Sequence, residues 1–351
     1  MLFRIYLKGL YYPRIMEEYG NIWDFHQGVD SAGGDIRSVG TTDIDKLKAI
    51  ANNDPNCIAF NTLGYLKSTI STSFNPTPYI NGPGQGIYVK RVDKLPKSNI
   101  TVVLTVYKRP YSLIEQLEAI QSQSISPDKI IIWKNEAEGV ELPVIPEHLM
   151  KNVTVINSSG NYGVWARFSV ALLANTEYIA IFDDDTIPQY NWFKNCLDTM
   201  KIKEGLLGTI GIRFNPGCNY AFNRRYGWHG PNNDIEEVDI VGHAWFFKRA
   251  WLSHLWNFMP DYNIHLKCGE DIAFSYMLQR VGIKTYVPPH PENDLSLYGS
   301  KPSTALLYGT DKNAAISEAP GMSQHFTEVL KHFIVNLGFK TIHNTANNIR
   351  Y

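Results

Sequence analysis

Three consecutive carboxylates, Asp183, Asp184 and Asp185, follow directly on the apolar run Tyr178 to Phe182, and an acidic pair, Glu270 and Asp271, comes much later. A short run rich in branched and aromatic residues reads as a buried strand, so the triple acid stands at a strand's carboxyl end. In an open α/β sheet, that edge is the crevice where nucleotides bind. Hard divalent cations are held in such places by oxygen ligands together with substrate phosphates. Without a cation, an acidic cluster there would repel a diphosphate. The competing reading is a solvated turn in which Asp184 or Asp185 caps the helix after Pro188; the buried strand behind the motif favours the metal. Asp185 is assigned direct metal contact, Asp183 a ribose or the metal through water, and Asp184 the transferred group. Mn²⁺ and Mg²⁺ both suit these ligands. His290, just beyond Val287-Pro288-Pro289, is the candidate for a further metal ligand.

Glu270 and Asp271 precede an apolar helical pattern. As first-turn acids they favour the helix macrodipole, and Asp271 there is also placed to take a proton from an attacking hydroxyl or to stabilise positive charge at an anomeric carbon. Glu270 is its neighbour or an acceptor-binding group. The basic candidates are Arg109, before a proline that suits a helix start with its free N–H groups, and Arg167 on the helix before Asp183, where it can give a bidentate contact. Taken together, these residues predict metal-assisted transfer of a sugar from a nucleoside diphosphate.

The elements that must position them follow from periodicity. Residues 100–106, 129–133, 153–156 and 178–182 read as strands, with helices over 113–121 and 165–174 between them, which implies parallel βαβ units in a doubly wound, mostly parallel sheet. Further strands are expected at 207–212 and 238–242, a substrate-covering loop at 215–234, and helices over 271–281 and 323–337. Residues 1–95 read as a small, turn-rich α+β module, 91–98 as a linker, 99–300 as the catalytic domain and 301–351 as an extension whose helix packs on the sheet.

The chain has 351 residues, 44% of them hydrophobic, and its 33 Lys and Arg nearly balance 34 Asp and Glu. A balanced charge gives no global field for nucleic acid or an anionic membrane. Cys57, Cys196, Cys218 and Cys268 lack the spacing of a zinc site or a disulfide framework. The first ten residues are interrupted by charge too early for a signal sequence, and no run reaches spanning length, so a cytoplasmic enzyme without a transmembrane segment is expected.

Thr105-Val106-Tyr107-Lys108-Arg109, Ile132-Trp133-Lys134-Asn135, Arg167, Asp183-Asp184-Asp185-Thr186, Val241 to Phe247 and Cys268 to Ala273 together resemble the motifs of GT-A glycosyltransferases, and more narrowly those of the exostosin and exostosin-like N-acetylhexosaminyltransferases. The resemblance implies a Rossmann-like GT-A domain. It also implies a UDP-sugar donor, a glycan or glycoprotein acceptor, and nucleotide contacts from Tyr107, Arg109, Asn135 and, one place off the motif, Asn161. Asp271 takes the place of that family's catalytic aspartate. Lys108 and Glu270 depart from its pattern, and His243 is an addition. The same landmarks are similar to family 2 glycosyltransferases, in which the acid is a base for inversion; the exostosin-like likeness favours retention. Residues 25–62 bear a fainter likeness to PAN/apple modules without their paired cysteines.

Overall fold

A computed structural model describes residues 23–343 apart from 53, 55–56, 72, 91–97, 218, 222, 262–266 and 312–313. The expected linker, the first ten residues and Cys218 therefore lie outside the described residues. Chain contacts divide the protein into two units, 1–97 and 98–351.

In the first unit, strands β1 (Trp23–Gln27), β2 (Val29–Asp30), β3 (Asp35–Ser38), β4 (Ala59–Asn61), β5 (Tyr65–Lys67), β6 (Asn75–Pro76) and β7 (Gly86–Lys90) accompany the helix α1 (Ile44–Asn52). Five of the strands form a sheet in the order β1-β7-β4-β5-β3, antiparallel throughout. The Asp43 carboxylate accepts the Asp45 and Lys46 N–H groups, which caps α1. Leu47 and Ala51 of α1 pack on Trp23, Cys57, Phe60 and Leu66. A core this small is supplemented by the buried Lys67, whose Nζ donates to the exposed Asp35 at 2.6 Å and to the Ser31 carbonyl at 2.8 Å.

The second unit is built on one mixed sheet. Its strands are β8 (Ile100–Val106), β9 (Lys129–Lys134), β10 (Val153–Asn157), β11 (Tyr178–Phe182), β12 (Gly205–Arg213), β13 (Arg224–Gly227), β14 (Glu236–Val238), β15 (Ile240–Lys248) and β16 (Lys284–Val287). The order is β10-β9-β8-β11-β15-β12-β16-β14, with β13 paired to β12. β10, β9, β8 and β11 run parallel, so their carboxyl ends share one edge. They are nearly continuous apolar runs because helices cover both faces of such a sheet. Among the described residues the helices are α2 (Leu113–Gln121), α3 (Ala166–Val170), α4 (Trp192–Ile202), α5 (Leu252–Leu255), α6 (Glu270–Gln279), α7 (Pro302–Gly309) and α8 (Met322–Lys331).

Three features differ from the sequence reading. The strand expected at 238–242 is two strands, and the second, β15, extends to Lys248 and pairs antiparallel with both β11 and β12. Periodicity reports burial but not strand direction, so this inversion was invisible. Within the expected loop at 215–234, Arg224–Gly227 folds back as β13. The helix expected at 165–174 is shorter, with α3 passing into a 3₁₀ turn at Ala171–Leu173.

β13 depends on Gly227, whose φ is +96° and whose missing Cβ would stand 2.0 Å from the Thr209 carbonyl oxygen. Gly227→Ala therefore combines a backbone conformation that L residues disfavour with a collision against main chain. We expect a loss of about 3 kcal/mol, read as a lower midpoint in urea unfolding. An unchanged midpoint would show that the hairpin base is not packed as described.

Candidate active site

The site is assembled at the shared carboxyl edge of the parallel strands. Past β11 the chain turns sharply, and α2 holds that turn. The helix buries Leu113, Gln116, Leu117 and Ile120 on one face, and the buried Gln116 amide donates to the Asp183 and Thr186 carbonyls at 2.8 Å each. The Ser112 hydroxyl lies 2.6 Å from the Asp184 carbonyl. These contacts to the main chain fix where the three aspartate side chains begin.

Each aspartate then has its own partner. Asp184 is buried and ion-paired with Arg109. Asp183 is ion-paired with Arg167, and the other arm of the same guanidinium binds Glu270. Arg167 is itself 6% exposed and lies over the Trp245 ring, 4.6 Å from its centroid. One buried arginine thus joins the acidic turn after β11 to the acidic start of α6. The two clusters, far apart in sequence, share one counter-charge.

Asp185 meets a residue that was not assigned to the metal from sequence. Its carboxylate lies 3.6 Å from His243 Nδ1, and ligand atoms of Asp183, Asp185 and His243 all lie within 4.8 Å of one another. His243 reaches this position through the antiparallel register, which sets Ala244 opposite Phe182 and so brings the preceding residue to the strand edge. Its φ is +64°, uncommon for a residue with a side chain and a frequent mark of functional sites. In that conformation its carbonyl accepts the Asp183 N–H at 2.9 Å and the Thr186 hydroxyl at 3.1 Å. The expectation for His290 is not met. It is fully buried, with Nδ1 2.8 Å from the Pro288 carbonyl and Nε2 3.3 Å from both Thr209 Oγ1 and the Gly299 N–H. Burial lowers its pKa to about 4; it is a neutral core histidine rather than a ligand.

The charges are strongly perturbed. Burial raises Asp183 to about 6 despite Arg167. Asp185 is held near 2 because, against the same desolvation, a hydrogen bond and charge from His243 favour its ionised form. Burial opposes a charged His243 ring, but Asp185 outweighs it and raises the pKa; binding a cation would displace that proton. Asp271 is raised to about 7, first by burial and then by the charge of Glu270. It sits at the mouth of α6, where Gly269 enters the helix at φ +93°. Its Oδ1 accepts the Ile272 N–H at 2.7 Å, and its Oδ2 lies 3.5 Å from the Tyr220 hydroxyl. Expected as part of a loop, Tyr220 is instead held between Phe214 and Phe326 of α8, with centroids at 5.7 and 5.1 Å.

At the ends of β8 and β9 a neutral group forms. The Asn161 amide donates to the Tyr107 hydroxyl at 3.0 Å, the Asn135 amide donates to Asn161 Oδ1 at 2.8 Å, and Asn135 Oδ1 accepts the Tyr162 N–H at 2.9 Å. Tyr107, Asn135 and Asn161 are therefore mutually oriented. By contrast Arg109 and Arg167, both proposed from sequence for the nucleotide, are turned into carboxylates.

An α/β sheet whose parallel strands end in paired acids, with a second acid at an opposing helix start, is the architecture of a GT-A glycosyltransferase domain. The chain belongs to glycosyl transferase family 2, whose model matches residues 101–278, just over half of its length. Similar proteins occur in Acanthamoeba polyphaga mimivirus. "Putative fucosyltransferase R654" is 38% identical over 100 residues, 27% of this chain and 16% of that protein. "Putative glycosyltransferase R655" is 47% identical over 64 residues, 18% of this chain and 19% of that protein. The chain thus spans less than a fifth of each relative's length. No helix among the described residues is long and apolar enough to cross a membrane.

If Arg167 is the bridge between the two acidic segments, Arg167→Met leaves Asp183 and Glu270 buried without a counter-charge. The expected cost is about 3–5 kcal/mol, measured by urea unfolding at pH 7, and adding Glu270→Gln should recover part of it. A fully stable single variant would mean that the ion pairs are dispensable.

Proposed function

We propose that this protein transfers a sugar from a UDP-sugar to a hydroxyl of a glycan or glycoprotein, with Asp271 as the general base. The observation that carries this reading is the Arg167 bridge, which ties Asp183, after β11, to Glu270, the neighbour of Asp271. Tyr107, Asn135 and Asn161 present the oriented hydroxyl and amides that would meet uridine. Asp183, Asp185 and His243 would hold a divalent cation, and an imidazole beside two carboxylates suits Mn²⁺ better than Mg²⁺. When bound, that cation neutralises charge on the departing diphosphate. The exostosin-like motifs support an N-acetylhexosamine or hexose as the transferred group.

Asp271 has the protonation behaviour that its role needs. A base is most effective when its pKa lies close to the working pH, and burial with Glu270 alongside raises Asp271 to about 7. In the reaction the acceptor oxygen forms a bond to the anomeric carbon while its proton passes to Asp271. The bond from that carbon to the diphosphate oxygen breaks, and UDP leaves with the electron pair. A single displacement inverts configuration, so we favour inversion over the retention suggested by the exostosin-like resemblance; membership of family 2 supports the same choice.

Because the base works only when ionised, kcat/KM should fall tenfold per unit as pH drops below about 7 and level off above it. Asp271→Asn should retain UDP binding and lose at least ~100-fold in transfer, followed as UDP release from a panel of UDP-sugars with Mn²⁺. Undiminished turnover in that variant, or a product that keeps the donor's anomeric configuration by NMR, would remove the single-displacement role.

A further inference from the structure

Neither arginine suggested by the sequence is open to a phosphate, but the segment from Tyr220 to Trp228 brings another to the crevice. Its two ends are fixed at opposite poles of the site. At one end the Tyr220 hydroxyl lies 3.5 Å from Asp271. At the other, the Trp228 ring packs edge-on against His243, with centroids 6.1 Å apart. Between them β13 pairs with β12, setting Arg225 opposite Ile212 and Arg224 opposite Arg213.

Strand alternation separates these side chains. Arg224, Tyr226 and Arg213 share one face, where both guanidiniums lie over the Tyr226 ring at 4.7 and 4.8 Å. Arg225 is on the other face. It is exposed, and no ion pair links it to a carboxylate among the described residues. It lies in the chain between Tyr220, which meets Asp271, and Trp228, which packs on His243.

Resting on the function proposed above, we propose that Arg225 receives the diphosphate of the nucleotide donor, replacing Arg109 and Arg167 in that role. A guanidinium can take two phosphate oxygens at once. Placed on a hairpin at the crevice rim, it can do so without first giving up a buried carboxylate.

The test is calorimetric titration of the full chain with UDP and with uridine, in Mn²⁺, comparing wild type, Arg225→Ala and Arg225→Lys. Loss of a charge-assisted contact should weaken UDP roughly 10- to 100-fold in Arg225→Ala while uridine affinity stays within about twofold, and Arg225→Lys should recover part of the loss. UDP affinity unchanged in Arg225→Ala overturns the proposal and transfers the cation to an anionic acceptor. Equal weakening of UDP and uridine overturns it as well, because the whole pocket would then have been disturbed. Failure of wild type to bind UDP removes the function proposed above; binding that survives Arg225→Ala removes only this role.

Discussion

The crevice depends on one guanidinium sharing its charge between two acidic segments. Asp183, Asp184, Asp185, Glu270 and Asp271 crowd the edge of the sheet, and carboxylates this close raise one another's pKa and resist joint ionisation. Arg167 satisfies Asp183 and Glu270 together, and Arg109 satisfies Asp184. Both arginines are almost wholly buried, so the charges they balance cannot be screened by water. What remains is unequal by construction. Asp185 stays ionised beside His243, whereas Asp271, with no arginine of its own, is pushed toward neutrality. Under the proposed function, the first position suits a cation and the second a proton.

That division explains which parts of the site were legible in the sequence. The runs at 100–106 and 178–182 and the helix at 113–121 match β8, β11 and α2, because each is an unbroken apolar pattern whose burial depends on its own residues. The carboxylates at their ends follow from local order along the chain. His243 does not. Its place beside Asp185 needs an antiparallel pairing with β11 and a left-handed backbone at one strand residue, neither of which leaves a periodic trace. The available hint was chemical: a histidine added to an otherwise apolar strand motif. His290 showed the opposite failure, since proline and histidine near an acidic segment resemble a loop ligand, yet packing encloses the ring between Trp192 and Tyr298. Both arginines, expected to meet the nucleotide, are paired with acids instead, and those partners could not be read from spacing.

The family match ends within α6, and much of the wall around Asp271 comes from beyond it. Phe326 on α8 stacks on Tyr220, and the Thr327 hydroxyl accepts the Tyr220 N–H at 3.3 Å. Farther along, Phe333 packs on Phe258 and Tyr276, tying the segment after α8 to α6, which carries Asp271. Near the aspartates, Gly309 at the end of α7 is so placed that a Cβ would lie 3.8 Å from Asp185 Oδ2. The acids after β11 therefore stand on the rigid sheet and Asp271 on α6, while a hairpin and the later helices supply the packing beside them.

Such a separation has a chemical consequence. Charge positions at the sheet edge are over-determined: the turn after β11 is held by Gln116, Ser112, Thr186 and the His243 carbonyl, and changing its geometry would strand buried carboxylates. The hairpin and the terminal helices carry no comparable electrostatic burden, so their side chains can vary without unpairing the core of the site. Loops on a rigid scaffold are where binding specificity is generally built. Here the same logic extends to α7 and α8, because Tyr220 takes its position from α8 rather than from the sheet. On the function proposed above, substrate choice would rest largely with the hairpin and α8, and the chemistry of transfer with the acids that Arg167 holds together.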